Sequence, residues 1–217
     1  PEILCRLIPK IEMKEKVKNS LESFRSAKNM TIKSEYGTNL TINIKGSPVV
    51  GVWGWTNKPG TLAHWPGGLV ACFPGGKTAN GTIVFSPGDI NLTFKKYFES
   101  EVKCIIKDDF ITEVHGNSLD AKLMRQYFES FKDINNYAIS HVGWGLNSDA
   151  RYEAISMYEK SQINGTELRV LEGNFLFSTG ANEFANRFTE GHFDLPMMDC
   201  SIELDGAVIV QGGKVFC

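Results

Sequence analysis

The stretch GHFDLPMMDCSIELDGAVIVQGGKVFC, residues Gly191–Cys217, decides how this chain folds. Apolar and polar residues alternate in short runs, and Asp205-Gly206 marks a turn between two of them, so the stretch predicts several short strands. Strand patterns also dominate the preceding sequence, with helices placed irregularly between them. We therefore expect an α+β fold with mixed or antiparallel sheets and a few flanking helices.

The first half of the chain predicts one helix followed by hairpins. Residues 10–28 are charged and helix-favouring, with apolar residues near one face. Residues 30–46 alternate around a central glycine and predict a hairpin, and a second hairpin is expected to turn near Asp108-Asp109. Between them, residues 51–68 form a long loop rich in Gly, Pro and Trp, and long ordered loops are often functional.

The second half is predicted to contain two helices with capping residues, and two further strands. These are a helix at residues 119–133 after Ser118, a strand at 137–147, a helix at 150–160 after Ser148 or Asp149, and a strand at 166–180. No internal repeat interrupts the order. We expect the 217 residues to form a single domain.

Composition excludes several classes of function. The net charge is −2, from 23 basic and 25 acidic residues without a basic stripe, so nucleic acid is not an expected partner. The apolar runs are too short to span a membrane, and no signal peptide opens the chain. The five cysteines are widely spaced and form no C-x-x-C pair, which predicts buried reduced thiols and a cytoplasmic location. Five N-x-T sequons leave secretion as the alternative.

One histidine–aspartate pair is spaced for joint metal binding. In an extended segment, His192 and Asp194 point to the same face and could hold one ion together. Two ligands are too few for a stable site, but His141, in a glycine-rich strand, would make two histidines and one carboxylate. That set suits mononuclear non-heme Fe(II) with open positions. The alternative is a pair in which the imidazole and the carboxylate satisfy each other at a strand end.

Three blocks of sequence carry a family resemblance. Residues 64–85, 139–147 and 191–216 resemble the C-terminal catalytic region of the leucyl-aminopeptidase-type metallopeptidases, and most of all the branch that contains 2,5-dihydroxypyridine 5,6-dioxygenase. The resemblance covers most of residues 30–217. It implies that the chain is a catalytic, metal-binding domain. The family has an additional N-terminal domain that contributes to the pocket, and we expect that domain to be absent from this chain.

The chain departs from the peptidase pattern at the metal ligands. Leu69 stands at or near a metal-binding glutamate of the peptidases, and His141 replaces a second one. Asn174 and Ala181 stand near a peptidase histidine and tyrosine. The H-x-D pair remains, and with His141 it matches the mononuclear iron ligands of the dioxygenase branch.

The resemblance implies an Fe(II)-dependent, extradiol-type dioxygenase that opens the ring of 2,5-dihydroxypyridine to N-formylmaleamate. Its reactants would be the small aromatic substrate and O₂, and we expect a homo-oligomer. One alternative is a divergent metallo-aminopeptidase, against which Leu69 and His141 count. The other is a non-catalytic protein in which the H-x-D pair is only structural.

Three further residues are candidates for roles around the iron. His64, in the long loop, is assigned substrate binding or proton transfer, with a loop histidine bonded to backbone as the alternative. Ser178 is expected to orient a metal ligand from behind, unless it is an ordinary strand serine. Trp144, near the glycine-rich loops, is expected to form an aromatic wall for a flat ring, unless it fills the core.

Overall fold

Two antiparallel sheets carry most of the chain in the computed structural model, which describes residues 2–216. The described strands are β1 Asn29–Ser34, β2 Asn39–Asn43, β3 Val49–Val52, β4 Leu69–Cys72, β5 Ala79–Phe85, β6 Ile90–Asn91, β7 Lys96–Tyr97, β8 Val102–Lys107, β9 Phe110–His115, β10 Ile139–Gly145, β11 Phe175–Asn182, β12 Arg187–Met197, β13 Cys200–Leu204, β14 Ala207–Gln211 and β15 Lys214–Val215. One sheet has the order β15-β14-β13-β1-β2-β5-β8-β9, and the other has the order β12-β11-β10-β4-β3. Strands β6 and β7 form a small separate ribbon.

The helices are few and mostly short. The described α-helices are α1 Glu2–Arg6, α2 Ile11–Ser26, α3 Leu119–Ser130, α4 Ala154–Met157 and α5 Gly165–Arg169, with 3₁₀ turns at Ile134–Tyr137, Lys160–Gln162 and Glu183–Ala185. The predicted α+β class is therefore confirmed. No helix within residues 2–216 has both the length and the apolar character needed to cross a bilayer.

The two large sheets share one core. The rings of Phe85 on β5 and Phe177 on β11 lie 6.2 Å apart, centroid to centroid, which joins the inner faces of the sheets. Helix α2 closes the core beside β3, where Gly51 allows a close approach. A Cβ atom at Gly51 would lie 2.5 Å from Val17 Cγ1 and 2.7 Å from Leu21 Cδ1, so a larger residue would push the helix away.

The five-stranded sheet turns its two faces to different surroundings. Val142 and Trp144 of β10 point into the core and are fully buried, while His141 points to the other face. In β12, Phe193 likewise faces the core and Asp194 faces away from it. Because successive side chains of a strand alternate between faces, the same strands build both the core and the outer surface on which the site lies.

Most of the local predictions are confirmed. The first hairpin forms between β1 and β2, and the second turns at Asp108 and Asp109, both with positive φ. The Ser118 side chain caps α3 by accepting a hydrogen bond from Ala121 N at 3.3 Å. The turn at Asp205 also forms, between β13 and β14.

Two local predictions are wrong. The strand predicted at 166–180 begins only at Phe175, because Asn164 accepts a hydrogen bond from Thr166 N at 3.0 Å and starts the short helix α5 instead. The helix predicted at 150–160 is reduced to α4, and neither proposed residue caps it, since the Asp149 carboxylate pairs with Lys10.

The cysteine prediction holds for three of the described residues. Cys72, Cys104 and Cys200 are buried free thiols, whereas Cys5 is free and exposed. Burial raises the pKa of the Cys72 and Cys104 thiols to about 12, which keeps them protonated and unreactive. Cys217 lies outside the described residues.

Candidate metal centre

Three side chains meet on the outer face of the five-stranded sheet. His192 and Asp194 extend from β12, and His141 extends from β10, two strands away. One ligand atom from each residue lies within 4.8 Å of the other two. The fold therefore brings together the three residues predicted from the sequence as metal ligands.

Asp194 is a buried carboxylate with several hydrogen-bond donors around it. Its Oδ2 accepts from Arg169 Nε at 2.7 Å and lies 2.5 Å from Arg169 Nη2, while Oδ1 accepts from Ser178 Oγ at 2.5 Å. Burial alone would raise the pKa of Asp194, but hydrogen bonds from His141 and His192 and the charge of Arg169 hold that pKa well below its usual range. The side chain is therefore ionised, as a metal ligand must be.

Ser178 lies where the sequence predicts a supporting residue. It is the direct partner of Asp194 in the register between β11 and β12. Besides the bond to the carboxylate, its Oγ lies 3.1 Å from His141 Nε2. One hydroxyl thus contacts two of the three candidate ligands, and its role in orienting them stays a prediction.

A neighbouring hydroxyl places a proton on Nδ1 of His141. Ser140 Oγ donates its single hydrogen to Ala181 O at 2.5 Å, so it can only accept from His141 Nδ1–H, 3.1 Å away. The other ring nitrogen, Nε2, faces Ser178 and Asp194 and, once it has lost its own proton, would offer its lone pair to a metal ion. That Nε2 lies 3.5 Å from Asp194 Oδ1, and His192 Nε2 lies 3.2 Å from Asp194 Oδ2.

The donor set suits one divalent transition metal. Two imidazole nitrogens and one carboxylate oxygen converge from one side, and a cavity lies on the other, which is the arrangement that leaves coordination positions open. Within the described residues, no other group of three histidine, cysteine or acidic side chains comes this close together.

The cavity over the three residues is largely apolar and has a volume of about 270 Å³. Phe73 is its aromatic wall, with its ring centroid 5.4 Å from that of His141. The remaining lining residues are Val50, Val52, His64, Leu69, Ala71, Thr166, Arg169, His192 and Asp194.

The two other predicted site residues have different outcomes. His64 lies on the loop after β3, is exposed and lines the cavity, and no described residue hydrogen-bonds to its ring. Trp144 does not line the cavity. It is fully buried and stacks on Phe24 of α2 with the ring centroids 4.4 Å apart. The expected aromatic wall at Trp144 is wrong for this cavity, because a strand residue three positions after His141 faces the opposite side.

Asn174 and Ala181, which were compared with a histidine and a tyrosine of the peptidases, lie away from the cavity. Asn174 is fully buried and structural, since its Oδ1 accepts from Gly145 N at 2.9 Å and its Nδ2 donates to the carbonyl of Arg169 at 3.1 Å. Neither Asn174 nor Ala181 lines the cavity. Leu69 does line it, and its match to a peptidase glutamate stays a prediction.

Two contacts of the site were missed by the sequence reasoning. Arg169 pairs with Asp194 from α5, a segment predicted as strand, so nothing in the local pattern placed its side chain at the site. The hydroxyl of Tyr127, on α3, contacts the backbone of His192. A tyrosine on an amphipathic helix is ordinarily a core residue, and the neighbouring sequence does not indicate what its hydroxyl will contact.

The family model described as NicX: 2,5-dihydroxypyridine 5,6-dioxygenase matches residues 1–217. The chain belongs to the NicX family. Membership of this family points to a metal cofactor, and the three converging side chains offer a site for it.

Individual relatives extend the family match. A curated 2,5-dihydroxypyridine 5,6-dioxygenase from Pseudomonas putida is 34% identical over 217 residues, which cover 99% of this chain and 62% of that protein. The solved structure of the 2,5-dihydroxypyridine dioxygenase from Pseudomonas putida superposes with a TM-score of 0.95 at 34% identity, over 100% of this chain and 63% of that one. This chain therefore spans less than two thirds of the length of both.

A more distant structure shares the fold. Wild-type AmpT from Thermus thermophilus matches with a TM-score of 0.67 and 15% identity, over 100% of this chain and 58% of that one. At this identity the likeness concerns the backbone architecture alone.

Proposed function

We propose that this chain is the metal-binding catalytic domain of a mononuclear non-heme Fe(II) dioxygenase that opens the ring of 2,5-dihydroxypyridine. The observation that carries the proposal is the group of two histidines and one carboxylate at the base of a largely apolar cavity. The names of the family and of its 34% identical relatives supply the substrate.

His141, His192 and Asp194 would hold the Fe(II) through Nε2, Nε2 and a carboxylate oxygen. When bound, the ion would bring a ring hydroxyl and O₂ together and allow electrons to pass from the ring to oxygen. Both oxygen atoms would enter the product, N-formylmaleamate, so the reaction would need no other oxidant. With the ion bound, two neutral imidazoles and one ionised carboxylate would leave the centre with a net positive charge, which would favour a deprotonated ring oxygen.

The walls of the cavity would orient the ring. Val50, Leu69 and Phe73 present apolar surface to a flat substrate and limit the access of water. Arg169 lines the same cavity while it pairs with Asp194, so its positive charge lies where a ring oxygen would become negative.

His64 would take the proton from the ring hydroxyl. It is the one histidine of the cavity lining outside the proposed ligand set, and its exposure would let the proton pass to solvent. Ser178 would hold Asp194 and His141 at their present separation through its two contacts.

The divergent aminopeptidase is the weaker candidate. A two-metal peptidase site needs further carboxylates, but Asp194 is the only carboxylate among the described lining residues, and Leu69 offers no ligand atom. The proposal retains a cytoplasmic location and a homo-oligomer. Free buried thiols support the former, and exposed apolar side chains such as Ile11 and Leu62 support the latter.

The test is an anaerobic purification of the protein and of His141→Ala, followed by metal analysis and oxygen uptake with 2,5-dihydroxypyridine. We expect one iron per chain in the wild type, stoichiometric consumption of O₂, and loss of both in the variant. Iron that stays bound stoichiometrically in His141→Ala would overturn the ligand assignment. Hydrolysis of peptides without O₂ would favour the aminopeptidase.

A further inference from the structure

The strand that carries two of the candidate ligands is an edge strand. β12 pairs with β11 on one side, and no strand within residues 2–216 pairs with its other side. An edge strand exposes a row of unpaired backbone N–H and C=O groups, and these need partners if the strand is to be held firmly. In β12, the outward-facing groups include those of His192 and Asp194.

The outward backbone groups of His192 are bound by side chains. The Tyr127 hydroxyl accepts a hydrogen bond from His192 N at 3.0 Å and donates one to His192 O at 3.1 Å. Thr93 Oγ1 donates to the same carbonyl at 2.9 Å. Two residues along the strand, Asp194 O accepts from Leu92 N at 3.1 Å. The Tyr127 hydroxyl therefore satisfies both the N–H and the C=O of His192, as a neighbouring strand would do.

The Tyr127 ring is fixed independently of its hydroxyl. Its centroid lies 4.2 Å from that of Phe193, 5.0 Å from that of Phe131 and 5.7 Å from that of Phe94. These contacts bring the hydroxyl to the strand edge. They would also survive removal of that oxygen, because a phenylalanine ring fills the same space.

The two candidate histidine ligands differ in how their rings are held. His141 has Ser140 Oγ on its second ring nitrogen. No described residue hydrogen-bonds to the second ring nitrogen of His192, whose side chain is 39% exposed. The orientation of the His192 ring therefore depends on the position of its backbone, to which Tyr127 and Thr93 are hydrogen-bonded.

We propose that Tyr127, assisted by Thr93, is a positioning residue for the metal centre, and that it acts by clamping the backbone of His192. The inference rests on the proposed assignment of His192 as a ligand. Partners of this indirect kind are worth roughly 10- to 100-fold in metal affinity. The clamp replaces, for His192, the side-chain hydrogen bond that His141 receives from Ser140.

The test compares Tyr127→Phe with Tyr137→Phe. Tyr137 is the matched control, because its ring also packs in this aromatic group, 4.6 Å from Phe128, and its hydroxyl has no described hydrogen-bond partner. Metal-free protein would be titrated anaerobically with Fe²⁺ and, for its visible absorption, with Co²⁺. Hydrogen exchange would report on the His192 amide. We expect roughly tenfold weaker binding, an altered Co²⁺ spectrum and faster exchange in Tyr127→Phe, and none of these in Tyr137→Phe.

Each outcome decides a different point. Wild-type affinity and spectrum in Tyr127→Phe would overturn the positioning role while leaving the ligand assignment intact. Undiminished metal binding by His192→Ala would overturn the ligand assignment and, with it, this inference. If Tyr127→Phe does not fold, Thr93→Val decides, because it removes only the second bond to His192 O. A several-fold loss of affinity is expected there, and no loss would contradict the proposal.

Discussion

Ser178 lies directly opposite Asp194 on neighbouring strands, with its hydroxyl oxygen 2.5 Å from the Asp194 carboxylate. The same oxygen is 3.1 Å from His141 Nε2, so one small side chain spans the gap between two candidate ligands. The relationship is fixed by strand register rather than by a flexible loop, which makes it a well-defined place to perturb the centre.

Replacing Ser178 by alanine should weaken metal binding about tenfold, because both ligands lose the hydroxyl that holds them. Calorimetric titration of the metal-free protein with Co²⁺ measures the effect. Thr179→Val is the matched control on the same strand, since the buried Thr179 hydroxyl has no hydrogen-bond partner among the described residues and lies on the opposite face. That variant should bind metal normally and unfold at the same or a higher temperature.

Replacing Arg169 by glutamine should destabilise the metal-free protein by about 2 kcal/mol, because it leaves the buried Asp194 carboxylate without its positive partner. A bound cation would supply that charge. The rise in melting temperature on adding Co²⁺ should therefore be larger in the variant than in the wild type. Thermal unfolding with and without metal measures both effects, and equal rises in the two proteins would contradict the expectation.

Replacing Asp109 by alanine should reduce the free energy of unfolding by about 3 kcal/mol. The fully buried Asp109 carboxylate accepts hydrogen bonds from the backbone N–H groups of residues 77–79 and pairs with Arg187 at 2.8 Å. All of these donors would lose their acceptor. Denaturant unfolding measures the loss, and Asp108→Ala, at the adjacent turn position, should cost clearly less.

Asp89 should make the protein less stable as the pH rises from about 4 to about 6. Burial raises the pKa of Asp89 from 3.8 to about 6, although hydrogen bonds from the backbone of Ser86 and Met198 oppose the shift. The folded state then holds a proton that the unfolded state has released, so this contribution is complete below pH 4 and is lost as the pH passes 6. It amounts to at most about 3 kcal/mol.

Urea unfolding across this pH range would compare the wild type with Asp89→Asn, which does not titrate. The wild type should lose stability relative to the variant over this interval. A constant difference between the two proteins would contradict the shift.

Replacing His64 by glutamine should lower kcat by roughly 10²-fold or more with a smaller effect on KM, because proton transfer in the proposed reaction would lose its base while the cavity walls stay in place. Metal affinity should not change. The matched control is His115→Gln, since that histidine of β9 is exposed, lies outside the cavity and pairs with Glu113. A fall in affinity without a fall in kcat would indicate a structural role for His64.

Two of the three candidate ligands were predictable from a short-range pattern, whereas His141, two strands away, was joined to them through the family resemblance. Side chains two residues apart in a strand point to the same face, so His192 and Asp194 could be paired without a structure. The same rule, applied to His141 and Trp144, would have placed the tryptophan in the core. Arg169 could not be found in this way, since its position depends on a short helix that Asn164 starts within a strand-like sequence.

Helix α2 and the hairpins were also predictable, because apolar periodicity, alternation and turn residues act locally. The clamp on His192 was not, because it depends on where α3 packs against an edge strand more than sixty residues later in the chain. Contacts between residues so far apart in sequence depend on tertiary packing, which the local patterns of a single sequence do not show.

Because the five-stranded sheet has the core on one face and the site on the other, alternate residues of a strand tolerate different substitutions. Along β12, Phe193 and Leu195 pack in the core, while His192 and Asp194 belong to the candidate metal centre. A substitution on the outer face, for example at Leu69, can therefore leave the core beneath the sheet unchanged. In such a fold the residues that fill the core can be kept while those of the outer face change, and the backbone architecture is shared with a Thermus thermophilus protein that is only 15% identical.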